Sequence, residues 1–176
     1  CTSLALPAAI TADGSILLAH NEDALPSRHE QVYVVRCRPT EEPAFVAFAY
    51  GGLLLYQGVN EVDIGSIGNA LHWNDIRIGV PKLFLYREVL RATSLAEAIR
   101  ATLLPERANG NSHLIATAEG EIDDVEVSGR HAALQYIGNR PYAHTNHVLA
   151  PELRQIEEGD TLDSELRRNR AQRLLE

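Results

Sequence analysis

The sequence contains no methionine, so we expect the chain to begin at a processing site rather than at an initiator residue. It has only two cysteines among 176 residues, which excludes a scaffold held together by disulfides. The net charge is −8 and the Lys and Arg residues form no cluster, so no surface for a phosphate backbone is predicted. Aromatic residues are scattered and make up 6% of the chain, which argues against stacking platforms for single strands. We therefore predict no nucleic-acid partner.

The sequence also lacks long hydrophobic runs. None reaches the roughly 18 residues that a membrane-spanning helix needs, so no span is predicted. A length of 176 residues, with 45% apolar and 23% charged residues, is typical of one globular domain, here residues 1–176. Cys37 ends an apolar run and is interpreted as a core thiol. Free thiols favour a reducing cytoplasm, and we expect a homo-oligomer.

Apolar runs between turn residues predict strands over 2–10, 15–19, 31–37 and 44–50, followed by a strand, a turn and a second strand within 58–71. The Asp-Gly turn within 11–14 joins the first two runs into a hairpin. Helices are predicted from Pro81, by its position and the apolar spacing that follows, and from the capping pair Ser94 and Glu97. Three more strands (112–118, 121–127 and 131–137) and a surface helix (162–175) complete the chain. This order predicts an α+β fold with helices packed on antiparallel sheet.

Cys1 is the residue on which the functional prediction depends. If it is the mature terminus, it carries a thiol and a free α-amine, and an amine of pKa about 7.7–8.0 can accept a thiol proton near neutral pH. The apolar run from Leu4 predicts a buried strand, which suits a nucleophile held in a core. Three alternatives stay open: an arbitrary start to the chain, a lipidated cysteine, or a small buried thiol.

A nucleophile of this kind needs a group to fix its amine and donors for the oxyanion. The hairpin returns residues 20–23 to the neighbourhood of Cys1. Glu22 or Asp23 could hold the amine, and we expect only one of them to face inward because strand residues alternate. Asn60, Asn69 and Asn146 lie in tight sequence surroundings, and their amides are uncharged donors suited to an oxyanion. A solvated carboxylate and a turn-forming asparagine are the alternative readings.

The histidines suggest two other kinds of site. His144 and His147, together with His20 or His72, could bind a metal, but a His-x-x-His pair without an adjacent Glu or a Cys pair is weak evidence. We predict no metal. A thiol peptidase that uses His144 as the base is the second alternative, although neither cysteine has the local sequence of the papain-like enzymes.

Seven segments, taken in order, resemble the family of acyl-coenzyme A:6-aminopenicillanic acid acyltransferases within the N-terminal nucleophile (Ntn) hydrolases. The segments are Cys1-Thr2-Ser3, the stretch from Thr11 to Asp23, Gly58-Val59-Asn60-Glu61, Gly68-Asn69-Ala70-Leu71-His72, Gly79-Val80-Pro81 with its helix, His144-Thr145-Asn146-His147 and 169–173. Each segment alone is weak evidence, but the ordered series is specific.

The resemblance implies a four-layer αββα sandwich and assigns roles to several residues. Cys1 would be the nucleophile released by self-cleavage, and Asp23 would position it. Asn146 would donate from its side chain to the oxyanion, and Asn69 from its backbone N–H. The related bile salt hydrolases and penicillin V acylases have an arginine where His20 stands; we list His20 and Asn60 as substrate contacts.

The predicted function is hydrolysis or transfer of an acyl group from an amide or thioester through a Cys1 acyl-enzyme. The substrate would be a small acyl-amide or acyl-coenzyme A, with no bound cofactor and with a pro-segment or second chain from the same precursor. Family members continue past Glu176, so further strands and an active-site arginine are expected there. The rival prediction is a non-catalytic α+β binding module or lipoprotein.

Overall fold

The computed structural model describes residues 1–175, and these form ten strands and three α-helices. The strands are β1 (Thr2–Leu6), β2 (Leu17–Asn21), β3 (Val32–Cys37), β4 (Phe45–Tyr50), β5 (Gly58–Asn60), β6 (Ile64–Ala70), β7 (Asn111–Thr117), β8 (Ile122–Val127), β9 (Ala132–Tyr136) and β10 (Tyr142–His144). The helices are α1 (Lys82–Arg91), α2 (Leu95–Thr102) and α3 (Leu162–Leu175). Short 3-10 helices cover Ala8–Ile10, Pro26–Gln31 and Pro151–Ile156.

The strands form two antiparallel sheets. In the larger sheet, β3 to β9 lie side by side in chain order. In the smaller sheet, β1 is the central strand and pairs with β2 on one edge and with β10 on the other. Because β10 comes from the far end of the chain, this sheet brings distant segments to both sides of the first residue.

The layers follow from which face of each sheet is apolar. α1 and α2 cover the outer face of the large sheet, where Val89 packs with Ile115 and Val125. Ala5 of β1 packs against Ile67 and Leu114 between the two sheets. α3 lies against β10, where Arg168 Nε donates a hydrogen bond to the carbonyl of Ala143 at 3.2 Å. The predicted α+β class and four-layer αββα order are confirmed.

Local sequence explains most element boundaries. The prediction of a strand over 2–10 is too long, because β1 ends at Leu6 and Pro7 leads into a 3-10 helix. Ser94 caps α2 as predicted, its hydroxyl accepting from the Glu97 N–H at 3.3 Å. In return, the Glu97 carboxylate accepts a hydrogen bond from the N–H of Thr93 at 2.8 Å. Thr93 is the residue before the cap, so this reciprocal pair of hydrogen bonds extends one residue further towards the N-terminus.

Glycine is required where two elements approach closely. A Cβ on Gly68 would lie 2.1 Å from the carbonyl oxygen of Ser112 and 2.6 Å from the Tyr86 hydroxyl. A Cβ on Gly58 would lie 2.3 Å from the carbonyl oxygen of Val46. At both positions any larger residue would collide with the neighbouring backbone, so Gly58 and Gly68 allow the close approach.

The small sheet covers only part of the large one. Beyond the edge strand β2, the face of β3 to β5 is open, and Val34, Val46 and Val59 are 70%, 40% and 46% exposed. The helix predicted over 162–175 is confirmed as α3. Glu176 and the strands expected after it lie outside the described residues, so that expectation stays a prediction.

The buried His113 gives the fold a testable pH dependence. Burial, with smaller effects from Lys82 and Arg107, lowers the pKa of His113 from 6.5 to about 3. Between pH 6.5 and 3, His113 is therefore protonated in the unfolded chain but neutral in the folded chain. The free energy of unfolding consequently falls as the pH drops through this range. We expect a loss of roughly 2 kcal/mol in unfolding free energy between pH 6.5 and 5 from this residue alone.

Urea denaturation of the wild type and of His113→Leu at pH 7 and pH 5 measures this effect. The leucine variant should show a smaller difference between the two pH values, and His29→Leu, at an exposed site, should not. If the unfolding free energy of His113→Leu changes with pH as much as that of the wild type, another group is responsible. His147, whose pKa is lowered to about 4, would then be the next residue to test.

Candidate active site

The amino group of Cys1 lies between two side chains from opposite ends of the chain. It donates hydrogen bonds to Asp23 Oδ2 at 2.6 Å and to Asn146 Oδ1 at 2.8 Å. Strand register explains this position, since Thr2 pairs with Asn21 of β2 and Ser3 pairs with His144 of β10. Two residues past the end of each flanking strand, the chain presents a polar side chain to the terminus.

Asp23 makes its closest contact with the Cys1 amino group. This hydrogen bond, supported by the positive charges of the amino group, Arg167 and His20, lowers the pKa of Asp23 although partial burial opposes the shift. The carboxylate is therefore ionised at neutral pH and fixes the direction of the amine. Its predicted catalytic role is compatible with this geometry and stays a prediction.

Glu22 also faces Cys1, which the sequence analysis did not expect. Its Oε2 lies 3.6 Å from Cys1 Sγ. The prediction that only one of Glu22 and Asp23 faces inward is wrong, because β2 ends at Asn21 and strand alternation does not continue past it. The two carboxylates consequently contact different groups of Cys1: Asp23 contacts the amine and Glu22 contacts the thiol.

His20 connects this cluster to the small sheet. Its Nδ1 lies 2.8 Å from Ser3 Oγ, and its Nε2 lies 3.0 Å from Glu22 Oε2 and 3.1 Å from Gln57 Nε2. Gln57 also donates to the carbonyl of Gly68 at 3.1 Å. Both ring nitrogens of His20 are thus held by protein groups, and the residue orients Glu22. Its predicted contact with substrate stays a prediction.

Asn146 is held from several sides. Its Oδ1 accepts from the Cys1 amine, and its Nδ2 donates to the carbonyl of Ala70 at 3.0 Å. Its backbone N–H donates to Ser164 Oγ of α3 at 2.7 Å. An amide nitrogen carries two hydrogens, so one remains available to a ligand beside Cys1.

Arg167 of α3 is a site residue that the sequence analysis missed. Its Nη1 donates to the carbonyl of Cys1 at 2.5 Å and to Thr2 Oγ1 at 3.0 Å, and its Nη2 donates to Asn146 Oδ1 at 3.1 Å. Its Nε donates a hydrogen bond to Oδ2 of Asp163, one helical turn earlier, at 2.8 Å. An arginine was expected only beyond Glu176, whereas this one already braces Cys1 and Asn146.

The other two predicted asparagines differ in their surroundings. Asn69 is fully buried on β6, and neither atom of its amide has a hydrogen-bond partner within residues 1–175. It precedes Ala70, whose carbonyl binds Asn146. Asn60 Nδ2 donates to the carbonyls of Leu90 and Ala92, at 3.1 and 2.8 Å, and its Oδ1 accepts from Ile64 N–H. These are the contacts of a structural residue, so Asn60 as a substrate contact stays a prediction without support from its contacts.

His144 is buried and turned away from Cys1. Its Nδ1 contacts the carbonyl oxygen of Thr145 at 2.7 Å, and its Nε2 contacts Glu126 Oε1 at 2.8 Å. Burial would lower the pKa of His144, but the carboxylates of Asp124 and Glu126 together raise it. Both ring nitrogens are occupied, which gives no support to a thiol peptidase with His144 as its base.

The histidines proposed as a metal set are not brought together. His147 Nδ1 binds Ser164 Oγ at 2.8 Å, whereas His144 joins a buried group with Asp124 and Glu126. Potential ligand atoms lie within 4.8 Å of one another in that buried group, and also in Cys1, His20 and Glu22. Hydrogen bonds within the protein account for both arrangements.

Two cavities share Glu22, the residue whose carboxylate lies beside the Cys1 thiol. The larger, of about 750 Å³, lies between β2 and the open face of β3 to β6 and is mainly apolar, with Leu18, Val46 and Phe48 in its wall. The smaller, of about 280 Å³, lies between the segment after β2 and the start of α1. Glu22 lines both cavities, so each borders a residue that contacts the thiol.

The sequence model of the acyl-coenzyme A:6-aminopenicillanic acid acyl-transferases matches residues 10–176. The chain belongs to this family. The match starts at residue 10 and does not include Cys1. Any role for Cys1 in the site therefore rests on the geometry described above. No curated protein sequence is significantly similar to the chain.

Solved structures show the same fold at low sequence identity. The N-acylethanolamine-hydrolyzing acid amidase ortholog of Caenorhabditis elegans is 16% identical, with a TM-score of 0.63 over 84% of this chain and 70% of that one. A variant of the conjugated bile acid hydrolase of Clostridium perfringens is 18% identical, with a TM-score of 0.62 over 85% and 54% of the two chains. Penicillin V acylase of Agrobacterium tumefaciens is 13% identical, with a TM-score of 0.53 over 79% and 50%.

These similarities give the acyltransferase family member the fold of the Ntn hydrolases. The chain spans about half the length of the last two proteins. No helix within residues 1–175 is both long and apolar enough to cross a membrane.

Proposed function

We propose that the protein cleaves or transfers an acyl group at an amide or thioester bond, with Cys1 as the nucleophile. The observation that carries the proposal is the set of contacts around Cys1, whose amine is fixed by Asp23 and Asn146 while its thiol lies beside Glu22. Cys1 Sγ attacks the acyl carbon, the bond to the leaving amine or thiol breaks, and a thioester remains on Cys1. Water or an acceptor amine then takes the acyl group and releases the thiol.

The α-amine is the proposed proton carrier. A neutral amine has two hydrogens, and the hydrogen bonds to Asp23 and Asn146 use both of them. The lone pair is then the one position left to receive the thiol proton and pass it to the leaving group. This role requires a free α-amine, so we also propose that Cys1 is released from a precursor by self-cleavage.

Asn146 is the proposed oxyanion donor through its remaining Nδ2 hydrogen. Arg167 supports this role because it binds Asn146 Oδ1 and the Cys1 carbonyl, and so fixes the amide relative to the nucleophile. Asn69 is the proposed second donor, from its backbone N–H.

The larger cavity is the proposed acyl site. Its wall carries apolar side chains of both sheets, and its polar end holds His20, Glu22 and Gln57 near the thiol. An apolar acyl chain would gain about 0.8 kcal/mol for each methylene that it buries there. A small-molecule acyl substrate therefore suits the site better than a polypeptide.

The proposal is tested by trapping the acyl-enzyme. The protein is mixed with p-nitrophenyl decanoate, and intact mass with peptide mapping should show one decanoyl group on Cys1 that disappears as product forms. Cys37→Ser should be labelled equally, since Cys37 packs in the core near Phe45. Labelling that is absent, or that falls on another residue, would contradict the assignment of Cys1.

Asp23→Asn should lower turnover by about 10²-fold without unfolding the protein, because the amine loses a charged acceptor that directs its lone pair. Steady-state kinetics with an acyl-amide and a thermal melt measure the two effects. Asp13→Asn, in the exposed turn before β2, is the matched control and should keep wild-type rates. Full activity of Asp23→Asn would remove Asp23 from the mechanism.

A further inference from the structure

The smaller cavity contains two cationic side chains that have no anionic partner within residues 1–175. Lys82, Arg28, Tyr50 and Tyr56 contribute to its wall, together with Glu22 at the end nearest Cys1. The wall also carries apolar side chains, among them Leu25 and Leu53. A cavity of about 280 Å³ is large enough for an amino acid but too small for a long acyl chain.

Lys82 is the single lysine of the chain and begins α1. Its ammonium group donates to the uncharged Asn111 Oδ1 at 3.1 Å. No carboxylate among residues 1–175 lies within 4.0 Å of it. Burial lowers the pKa of Lys82, and the more distant charge of Glu22 partly opposes this shift. A mostly buried cation without a contacting anion is unfavourable unless a ligand completes the pair.

Arg28 is the second cation in the wall of this cavity. Its guanidinium carbon is 5.9 Å from the centre of the Tyr50 ring, and the side chain is half-buried. Its guanidinium makes no ion pair with residues 1–175. The planar guanidinium group binds a carboxylate through two parallel hydrogen bonds, which makes it a suitable anion receptor.

Glu22 is the one acidic group that lines this cavity within residues 1–175. Its Oε2 is committed to His20 at 3.0 Å and to the thiol at 3.6 Å. The cavity therefore combines one carboxylate held beside the nucleophile with two cations that form no ion pair within residues 1–175. An anionic group entering it would be repelled from the thiol and attracted towards Lys82 and Arg28.

We propose that this cavity binds the carboxylate of the leaving amine, so that the substrates are N-acyl amino acids. The acyl chain occupies the larger cavity, the amide lies at Cys1, and the carboxylate binds Lys82 and Arg28. Hydrolysis breaks the amide C–N bond, and water supplies the hydroxyl of the released acid and the proton of the released amine. This inference rests on the proposed function and adds the chemical class of its leaving group.

A competing explanation is that Lys82 serves only the fold. In that case its aliphatic stem covers apolar surface, and Glu22 balances its charge from a distance. This explanation predicts no difference between a charged and a neutral leaving group, and the experiment depends on that difference.

The experiment compares N-decanoylglycine with N-decanoylglycinamide, which differ only in the terminal group, an anionic carboxylate in the first and a neutral carboxamide in the second. We expect wild-type kcat/KM to be at least about 10-fold higher for the glycine substrate, because charge-assisted hydrogen bonds form only with the carboxylate. Lys82→Met and Arg28→Gln should each reduce this ratio severalfold, mainly through KM. Arg36→Gln, an exposed arginine on β3, is the matched control and should keep the wild-type ratio.

A readout without turnover guards against variants that fold poorly. Calorimetric titration of Cys1→Ala, expressed from residue 1 so that no upstream residues remain, with N-decanoylglycine should show binding that weakens about 10-fold when Lys82→Met is added, with a thermal melt as the folding check. If Lys82→Met does not fold, Arg28→Gln in the same background carries the test. Equal wild-type kcat/KM for the two substrates, or a ratio unchanged in both cavity variants, overturns the inference.

The failure of the proposed function looks different. In that case neither substrate is cleaved and Cys1 is not acylated by p-nitrophenyl decanoate. Acylation of Cys1 with equal use of both substrates would leave the proposed function standing and remove only the N-acyl amino acid assignment.

Discussion

Cys1→Ala, made in the complete gene, is expected to abolish acyl transfer and to leave any residues before position 1 attached. The variant loses the thiol that attacks the acyl carbon, and the same thiol is the proposed nucleophile of self-cleavage. Activity should fall on the order of 10⁴-fold or more, as when other covalent catalysts lose their nucleophile. Intact mass and N-terminal sequencing of wild type and variant show the processing, and an acyl-amide assay shows the activity.

Two further variants make this result specific. Cys1→Ser keeps a hydroxyl nucleophile and should be processed slowly and turn over poorly, because an alcohol is much less reactive near neutral pH. Cys37→Ser should be processed and active. If wild type and Cys1→Ala start at the same upstream residue, Cys1 is an internal thiol and the binding-module alternative becomes the better explanation.

Asn146→Ala is expected to reduce kcat by about 10²–10³-fold, the usual cost of losing one oxyanion donor. Asn146 also holds the Cys1 amine, so the alanine variant alone does not separate the two roles. Asn146→Asp keeps an acceptor for the amine and for Arg167 but removes the Nδ2 donor. The rate of Cys1 acylation, measured by rapid mixing, and the steady-state kcat of both variants distinguish the two roles.

The aspartate variant should be as slow as the alanine variant if the Nδ2 hydrogen stabilises the oxyanion. A nearly active Asn146→Asp would show that the residue acts by holding the amine, and the oxyanion assignment would be lost. Gln155→Ala, on the exposed 3-10 helix that follows, is a suitable control for the loss of an amide.

Elements set by local sequence were predictable. The Asp-Gly turn, the capping residue Ser94 and the apolar spacing of α1 each act over a few residues, so their signals can be read from the sequence. The hairpin prediction also brought residues 20–23 to Cys1. Strand alternation failed for Glu22 and Asp23 because the rule holds only within a strand, and β2 ends at Asn21.

Arg167 was missed for a different reason. Its contacts with Cys1 and Thr2 join residues from opposite ends of the sequence, and they depend on how α3 packs on β10. No local pattern marks an arginine in a polar surface helix as a site residue. The cavity at Lys82 was missed for the same reason, since its wall combines the segment after β2, the end of β4 and the start of α1.

The strand order of the two sheets has a consequence for the timing of maturation. Neighbours in the seven-stranded sheet are consecutive strands of the chain, so this sheet can form by adding one strand after another in chain order. The small sheet needs β1 to meet β10, and closing so long a loop has a larger entropic cost. The contacts around Cys1 are therefore expected to assemble late in folding. Self-cleavage that depends on them would act as a checkpoint, releasing the nucleophile only in molecules that have already folded.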